Sequence, residues 1–174
     1  ISMCDCFPRS FGMAEPHDIF TGTPPLAFTF GLGGLTCFPM RFGASTRFFP
    51  APLGPEDMMA AIEKYKITSL YTAPTLYRLL ADLVDKYDIS SLEKCVSAGE
   101  TLPKATWEAF HNATGIRIVD GLGSTEMIHI FVAANREDMR PGFTGKAIPG
   151  YRAKIVHDAG HELGPNQPRQ LAVK

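Results

Sequence analysis

The 174-residue sequence has no uninterrupted apolar run near the roughly 20 residues that a membrane-spanning helix requires. The nearest candidate, TPPLAFTFGLGGLTCFPM (23–40), is broken by prolines and glycines. No basic segment followed by a long apolar one opens the chain, so a secretory signal is not expected. Charge of one sign is scarce too. Seventeen Lys+Arg stand against 18 Asp+Glu, the formal net charge is −1, and no basic run exceeds two residues. That balance gives no attraction to nucleic acid or an anionic membrane, and neither is expected as a partner. Only four cysteines occur, Cys4, Cys6, Cys37 and Cys95, with no C-x-x-C pair. A disulfide framework is thereby excluded, and a reducing cytoplasm is the expected location. Cys37 and Cys95 lie in apolar contexts and read as small core residues. The five histidines, His17, His111, His129, His157 and His161, show no metal-ligand spacing. A G-x-S-x-G elbow, a phosphate loop ending in G-K-[ST] and a complete G-x-G-x-x-G are all missing.

What is present is a soluble globular composition, 45% hydrophobic and 20% charged, on a chain long enough for a proper core. Short β-rich runs alternate with helical patterns. Strands are expected at 18–22, 45–49, 66–72, 93–99 and 115–121, and helices at 32–43, 54–65, 73–87 and 102–114. Repeated β-α-β units predict an α/β fold, a mainly parallel sheet with helices on both faces. Past residue 140 the chain turns rich in glycine and proline, with short strands expected at 152–157 and 170–174. This reads as an α/β subdomain over 1–140 and a partial β subdomain over 141–174, the start of a small β-barrel-like region.

In parallel sheets ligands bind beyond the carboxyl ends of strands. Those ends carry GTPP, TAPT, SAGE and DGLGSTE, which therefore share one edge. In DGLGSTE, Gly121 and Gly123 permit close backbone approach and positive φ, Ser124 and Thr125 offer hydroxyls, and Glu126 offers a carboxylate for Mg²⁺. The competing reading is a strand-to-helix turn in which Ser124 or Thr125 caps the next helix. SAGE, Ser97 to Glu100, is a second small-residue turn at a strand end and, taken alone, reads as a left-handed glycine before a helix. The glycines of GLGG (31–34) suit close packing, and the aromatic PPLAFTFGLGG suits either core or a pocket for a flat ligand. His129, in the apolar run MIHIF, is more often a satisfied core residue than a ligand contact.

The order PPLAFTFGLGGLTCFPMRFGAS, YTAPTLYR, SAGETLP, DGLGSTEMIHIF, RPGFTGKAIPGY and LAVK resembles the adenylate-forming (AMP-binding) acyl-CoA synthetases. The likeness is to the benzoate- and 2-aminobenzoate-CoA ligases among them. It implies an acid-thiol ligase that uses ATP and Mg²⁺ to make an acyl-adenylate from an aromatic carboxylic acid and passes the acyl group to coenzyme A. By that resemblance Thr125 binds phosphate and Glu126 binds magnesium, both as catalytic residues. Ser97, Ala98, Gly99, Glu100, Asp120, Gly121, Leu122, Gly123 and Ser124 would join Thr125 around the nucleotide. Leu122 stands where the family often has tyrosine. Phe30, Gly123, His129 and Ile130 would form the aryl pocket, His129 bonding the carboxylate or a ring substituent.

The family's Ser/Thr/Gly-rich phosphate loop, its ribose-binding aspartate and its C-terminal domain with the catalytic lysine are not in this sequence. The chain therefore reads as a central piece of the larger N-terminal domain, without turnover on its own. An adenylation domain serving a carrier protein and a non-catalytic nucleotide- or aryl-binding module are the alternatives. Oligomeric state is not legible.

Overall fold

In the computed structural model, which describes residues 1–135 and 137–174, local sequence chemistry sets most element boundaries. Nine strands, β1 Ile19–Gly22, β2 Ser45–Thr46, β3 Ser69–Thr72, β4 Lys94–Ala98, β5 Ile118–Gly123, β6 Ile130–Ala133, β7 Lys146–Ala147, β8 Ala153–Val156 and β9 Gln170–Val173, accompany six α-helices among the described residues. The helices are α1 Ser2–Phe11, α2 Thr29–Leu32, α3 Phe38–Phe42, α4 Pro55–Tyr65, α5 Pro74–Ala81 and α6 Lys104–Thr114. Helix α4 starts with Pro55 in its first turn, where the missing N–H costs nothing, and Glu56 and Asp57 there complement the helix dipole. Helix α6 stops at Gly115, which takes φ 74.

Seven strands form one sheet in the order β2-β1-β3-β4-β5-β6-β7. The pairs from β2 to β5 are parallel, and β6 and β7 add antiparallel to the far edge. The alternating side chains feed two cores. Leu70, Cys95 and Ile118 meet Met59, Ile62 and Tyr77 of α4 and α5 and Phe110 of α6 on one face. Tyr71, Val96 and Val119 meet Phe7 of α1, Leu35 and Phe38 on the other. Every residue of β3 and β4 is buried, as expected for strands covered on both sides. At the amino ends of the strands, buried Lys94 holds buried Asp18 at 2.6 Å and Glu15 at 2.9 Å, while the Thr68 hydroxyl donates to Asp18 at 2.7 Å. This network pins β1, β3 and β4 in register.

The α/β class, with helices on both faces of a mainly parallel sheet, agrees with the expectation from sequence. Several details differ. The segment expected as one helix over 32–43 is split: a π-helical turn, Gly33–Cys37, separates α2 from α3. The strand expected at 45–49 shrinks to two residues because the chain leaves the sheet edge after Arg47, whose N–H still donates to the Phe20 carbonyl, toward a proline-rich loop. The helix expected over 73–87 ends at Ala81, with a short 3-10 turn at Val84–Lys86. Among the described residues, β8 and β9 make a two-stranded antiparallel ribbon and no closed barrel. No helix among them is long and apolar enough to cross a membrane.

Candidate functional site

At the carboxyl edge of the sheet, β4 ends in Ser97-Ala98-Gly99-Glu100 and β5 runs into the 123–130 turn. Two clefts open there. One, of about 160 Å³, is lined by Phe28, Thr29, Phe30, Ala98, Gly99, Gly123, Ser124, Thr125, His129 and Ile130. The other, of about 320 Å³, is lined by Gly99, Glu100, Thr101, Asp120, Gly121, Leu122, Gly123 and Thr144. Gly99 and Gly123 belong to both, so the clefts meet across a wall without side chains. A cavity of about 150 Å³ is known to hold one benzene ring, which sets the scale of the smaller cleft. A larger cleft, about 390 Å³, lies between Gly22–Leu26 and Phe48–Leu53. It has no ionisable side chain in its lining, so it offers contact but no acid, base or metal chemistry.

The DGLGSTE segment is built differently from its sequence reading. No helix follows it: the chain turns and returns as β6, antiparallel to β5. Gly121 and Gly123 are not at positive φ. A Cβ on Gly121 would fall 2.3 Å from Ile130 Cδ1, and one on Gly123 would fall 2.8 Å from the His129 carbonyl oxygen. These two glycines let β6 lie down on β5. Gly99, by contrast, is at φ 90 with nothing within 4 Å of an added Cβ, so it leaves its side of the wall open. The turn itself is tied by Ser124, whose hydroxyl accepts from the Met127 N–H at 3.3 Å, and by the Ile128 N–H bond to the Thr125 carbonyl at 3.1 Å. Ile128 sits at φ 70, a left-handed conformation that strains a β-branched residue. Glu126 is exposed on this turn, and its own main-chain N–H and then the Ser124 hydroxyl hold its carboxyl below the usual range. It is ionised at neutral pH and lines neither cleft.

His129 is at once core and cleft wall. The side chain is 2% exposed, and its ring lies 4.5 Å from Phe38 edge-on, 5.6 Å from Phe30 and 5.9 Å from Phe7. Gly33 closes the box, since a Cβ there would fall 2.4 Å from His129 Cδ2. Gly34 packs likewise on Tyr71 and Gly31 on the Pro25 carbonyl, so the GLGG glycines serve close packing. Burial pushes the His129 imidazole down to about 4, leaving it neutral at pH 7. Neither ring nitrogen has a hydrogen-bond partner among the described residues, although the Phe30 main chain offsets a small part of the shift. A neutral imidazole donates at one nitrogen and accepts at the other.

Across the wall, Asp120 is half-buried and accepts a hydrogen bond from Thr144 at 2.8 Å. Burial pushes its carboxyl up, and the Thr144 bond followed by the Gly121 main chain draws it back. Ser97, its neighbour across β4 and β5, is fully buried and lines neither cleft. Thr101 and Thr144 were not expected here. The glycines on either side of Thr144 in RPGFTGK were the signal available for it. Among the described residues no three His, Cys, Asp or Glu side chains gather as a metal site. Glu126 is the acid that the turn offers.

A family model described as AMP-binding enzyme matches residues 1–174. The chain is 32% identical over 165 residues to the benzoate–CoA ligase of Thauera aromatica, covering 94% of this chain and 31% of that protein. It is also 32% identical over 178 residues to the p-hydroxybenzoic acid–AMP ligase FadD22 of Mycobacterium marinum, covering 98% and 25%. Among solved structures, the anthranilate CoA ligase AuaEII in complex with anthranoyl-AMP matches with a TM-score of 0.85 at 36% identity, over 95% of this chain and 34% of that one. The chain thus spans between a quarter and about a third of the length of these relatives.

Proposed function

Because this chain belongs to the AMP-binding enzyme family, we propose that its paired clefts are the acyl-adenylate site of an ATP-dependent aryl-CoA ligase. The observation that carries the reading is the shared wall. A single ring fills the aromatic cleft of about 160 Å³, a nucleotide takes the polar cleft of about 320 Å³, and only Gly99 and Gly123 separate them. With no Cβ at the wall, a ring carboxylate and an α-phosphate can approach to bonding distance. A carboxylate oxygen attacks the α-phosphorus and pyrophosphate leaves. The thiol of coenzyme A then attacks the acyl carbon, and AMP leaves.

The roles assigned to the chain follow from position. Thr125, at the rim of the aryl cleft, donates its hydroxyl to phosphate oxygen. Glu126 is ionised and exposed, and a single carboxylate suits Mg²⁺, which binds through one or two carboxylates plus phosphate oxygens. When bound, the ion offsets negative charge on the phosphates. His129, neutral and with both ring nitrogens buried in this structure, turns its ring toward the cleft to hydrogen-bond the carboxylate or a ring substituent, while Phe30 and Ile130 contact the ring. The small volume favours aromatic acids with one ring, in line with the benzoate and anthranilate in the relatives' names. A cytoplasmic location, with ATP and coenzyme A at hand, belongs to the same reading.

The FadD22 relative, named as an acid–AMP ligase, favours a second reading in which the adenylate goes to another acceptor such as a carrier protein. ATP–pyrophosphate exchange over aryl and short aliphatic acids, on the protein that carries this chain, tests the first half-reaction. Glu126→Gln should abolish exchange and leave aryl-acid binding intact. Unchanged exchange in that variant would remove Glu126 from the chemistry. Release of AMP that depends on added coenzyme A separates the two acceptors.

A further inference from the structure

Thr144 lies outside the glycine turn and outside the strands, yet it lines the nucleotide-side cleft and donates its hydroxyl to Asp120 Oδ2 at 2.8 Å. Backbone geometry fixes its place. Gly145, at φ 131, lies so close to β6 that a Cβ would fall 2.2 Å from the Ala133 carbonyl carbon. Immediately beyond it, β7 pairs with β6 through Lys146 and Ala133. Gly142, at φ 87, bends the chain on the other side. A short threonine side chain on so constrained a segment has little freedom to place its hydroxyl elsewhere.

We propose that Thr144 is a positioning residue that orients the Asp120 carboxylate to accept the exocyclic amino group of an adenine base. The inference rests on reading this cleft as the nucleotide site. An ionised carboxylate only accepts hydrogen bonds, at about four lone-pair sites, and Thr144 on Oδ2 together with the Gly121 main chain leaves acceptor capacity for a donor from the ligand. Adenine presents such a donor on its amino edge. Without the Thr144 hydroxyl, a half-buried carboxylate that burial already disfavours loses a partner and its orientation together. Valine keeps the shape of threonine and removes the donor, and serine keeps the donor.

The test measures calorimetric affinity of the protein that carries this chain for ATP and for purine riboside 5′-triphosphate, which lacks the amino group. Thr144→Val should weaken ATP roughly tenfold, the cost of one hydrogen bond to a charged group. It should weaken the amino-less nucleotide by less than about twofold, the margin within which uncoupled changes add. Thr144→Ser should restore ATP binding. In an Asp120→Ala background the valine substitution should cost nothing further. Equal weakening of both nucleotides marks a merely structural role and overturns the proposal, as does unchanged ATP affinity in Thr144→Val. A wild-type protein that binds neither nucleotide overturns the nucleotide reading of the cleft along with it.

Discussion

Replacing Gly33 with alanine should cost the protein stability and its aryl cleft together. The added Cβ would lie 2.4 Å from His129 Cδ2 and 3.2 Å from Nε2, far inside van der Waals contact. The imidazole has nowhere to swing on the core side, where Phe38, Phe30 and Phe7 stand with ring centroids 4.5, 5.6 and 5.9 Å away. Overpacking of this kind costs about 1–3 kcal/mol, and a clash this short belongs in the upper half of that range. Alanine returns up to about 1 kcal/mol of helical preference, so the net loss is about 1–2 kcal/mol. At roughly 2–4 °C per kcal/mol for a domain of this size, the melting temperature should fall by about 2–8 °C in calorimetry. The open side is the cleft, and relief must come from pushing the ring into it. Benzoate affinity should then drop while ATP affinity, governed by the other cleft, stays. Gly34→Ala is the control: its Cβ would meet Tyr71 Cδ1 at 2.6 Å, but Tyr71 lines neither cleft. It should lose stability with a smaller effect on benzoate. A Gly33→Ala protein that melts no lower than wild type and binds benzoate normally would refute the packing argument.

Acid should expose the cost of burying His129. The unfolded chain protonates this residue near 6.5, whereas the folded chain keeps it neutral down to about 4. Its contribution is therefore intact above pH 6.5 and fades as the pH falls toward 4, by about 2 kcal/mol at pH 5. His129→Leu removes that titration, so urea unfolding at pH 7 and pH 5 should show a smaller acid loss than in wild type. Equal losses in both proteins would place the acid sensitivity elsewhere. Lys94→Met strands the buried Asp18 carboxylate that Lys94 holds at 2.6 Å. Breaking a buried pair from one side costs about 3–5 kcal/mol, and a urea-measured loss below about 1 kcal/mol would contradict the assigned register role.

How much of this was legible in the sequence depends on whether a signal was local. Helices α4 and α6 announce themselves through proline near the start, first-turn acids in α4 and a stop glycine in α6, all written within a dozen residues. Strands β3 and β4 appear as short apolar runs between them. Helix α1 is absent from the elements expected from sequence; Cys4, Phe7 and Phe11 keep helical spacing, and Pro8 lies inside the helix. The return strand β6 and the short β7 are absent too. Their pairing depends on contacts that no local pattern encodes, such as Ile130 resting over Gly121 and Gly145 pressed on Ala133. The same non-locality reshapes the candidate site. Position in the chain placed SAGE and DGLGSTE at one sheet edge, because parallel strands must end there. It did not show that Gly121 and Gly123 are small for the sake of β6, and that an open wall between two clefts results from this packing. Nor did it show that Asp120 depends on Thr144, 24 residues away. A wall that stays free of side chains toward the clefts and accepts a strand behind it leaves glycine little competition at 123, while Gly121 is held to glycine by Ile130 alone. Packing and the proposed site thus ask for the same residue at 123, so the turn observed in DGLGSTE is compatible with the site proposed there.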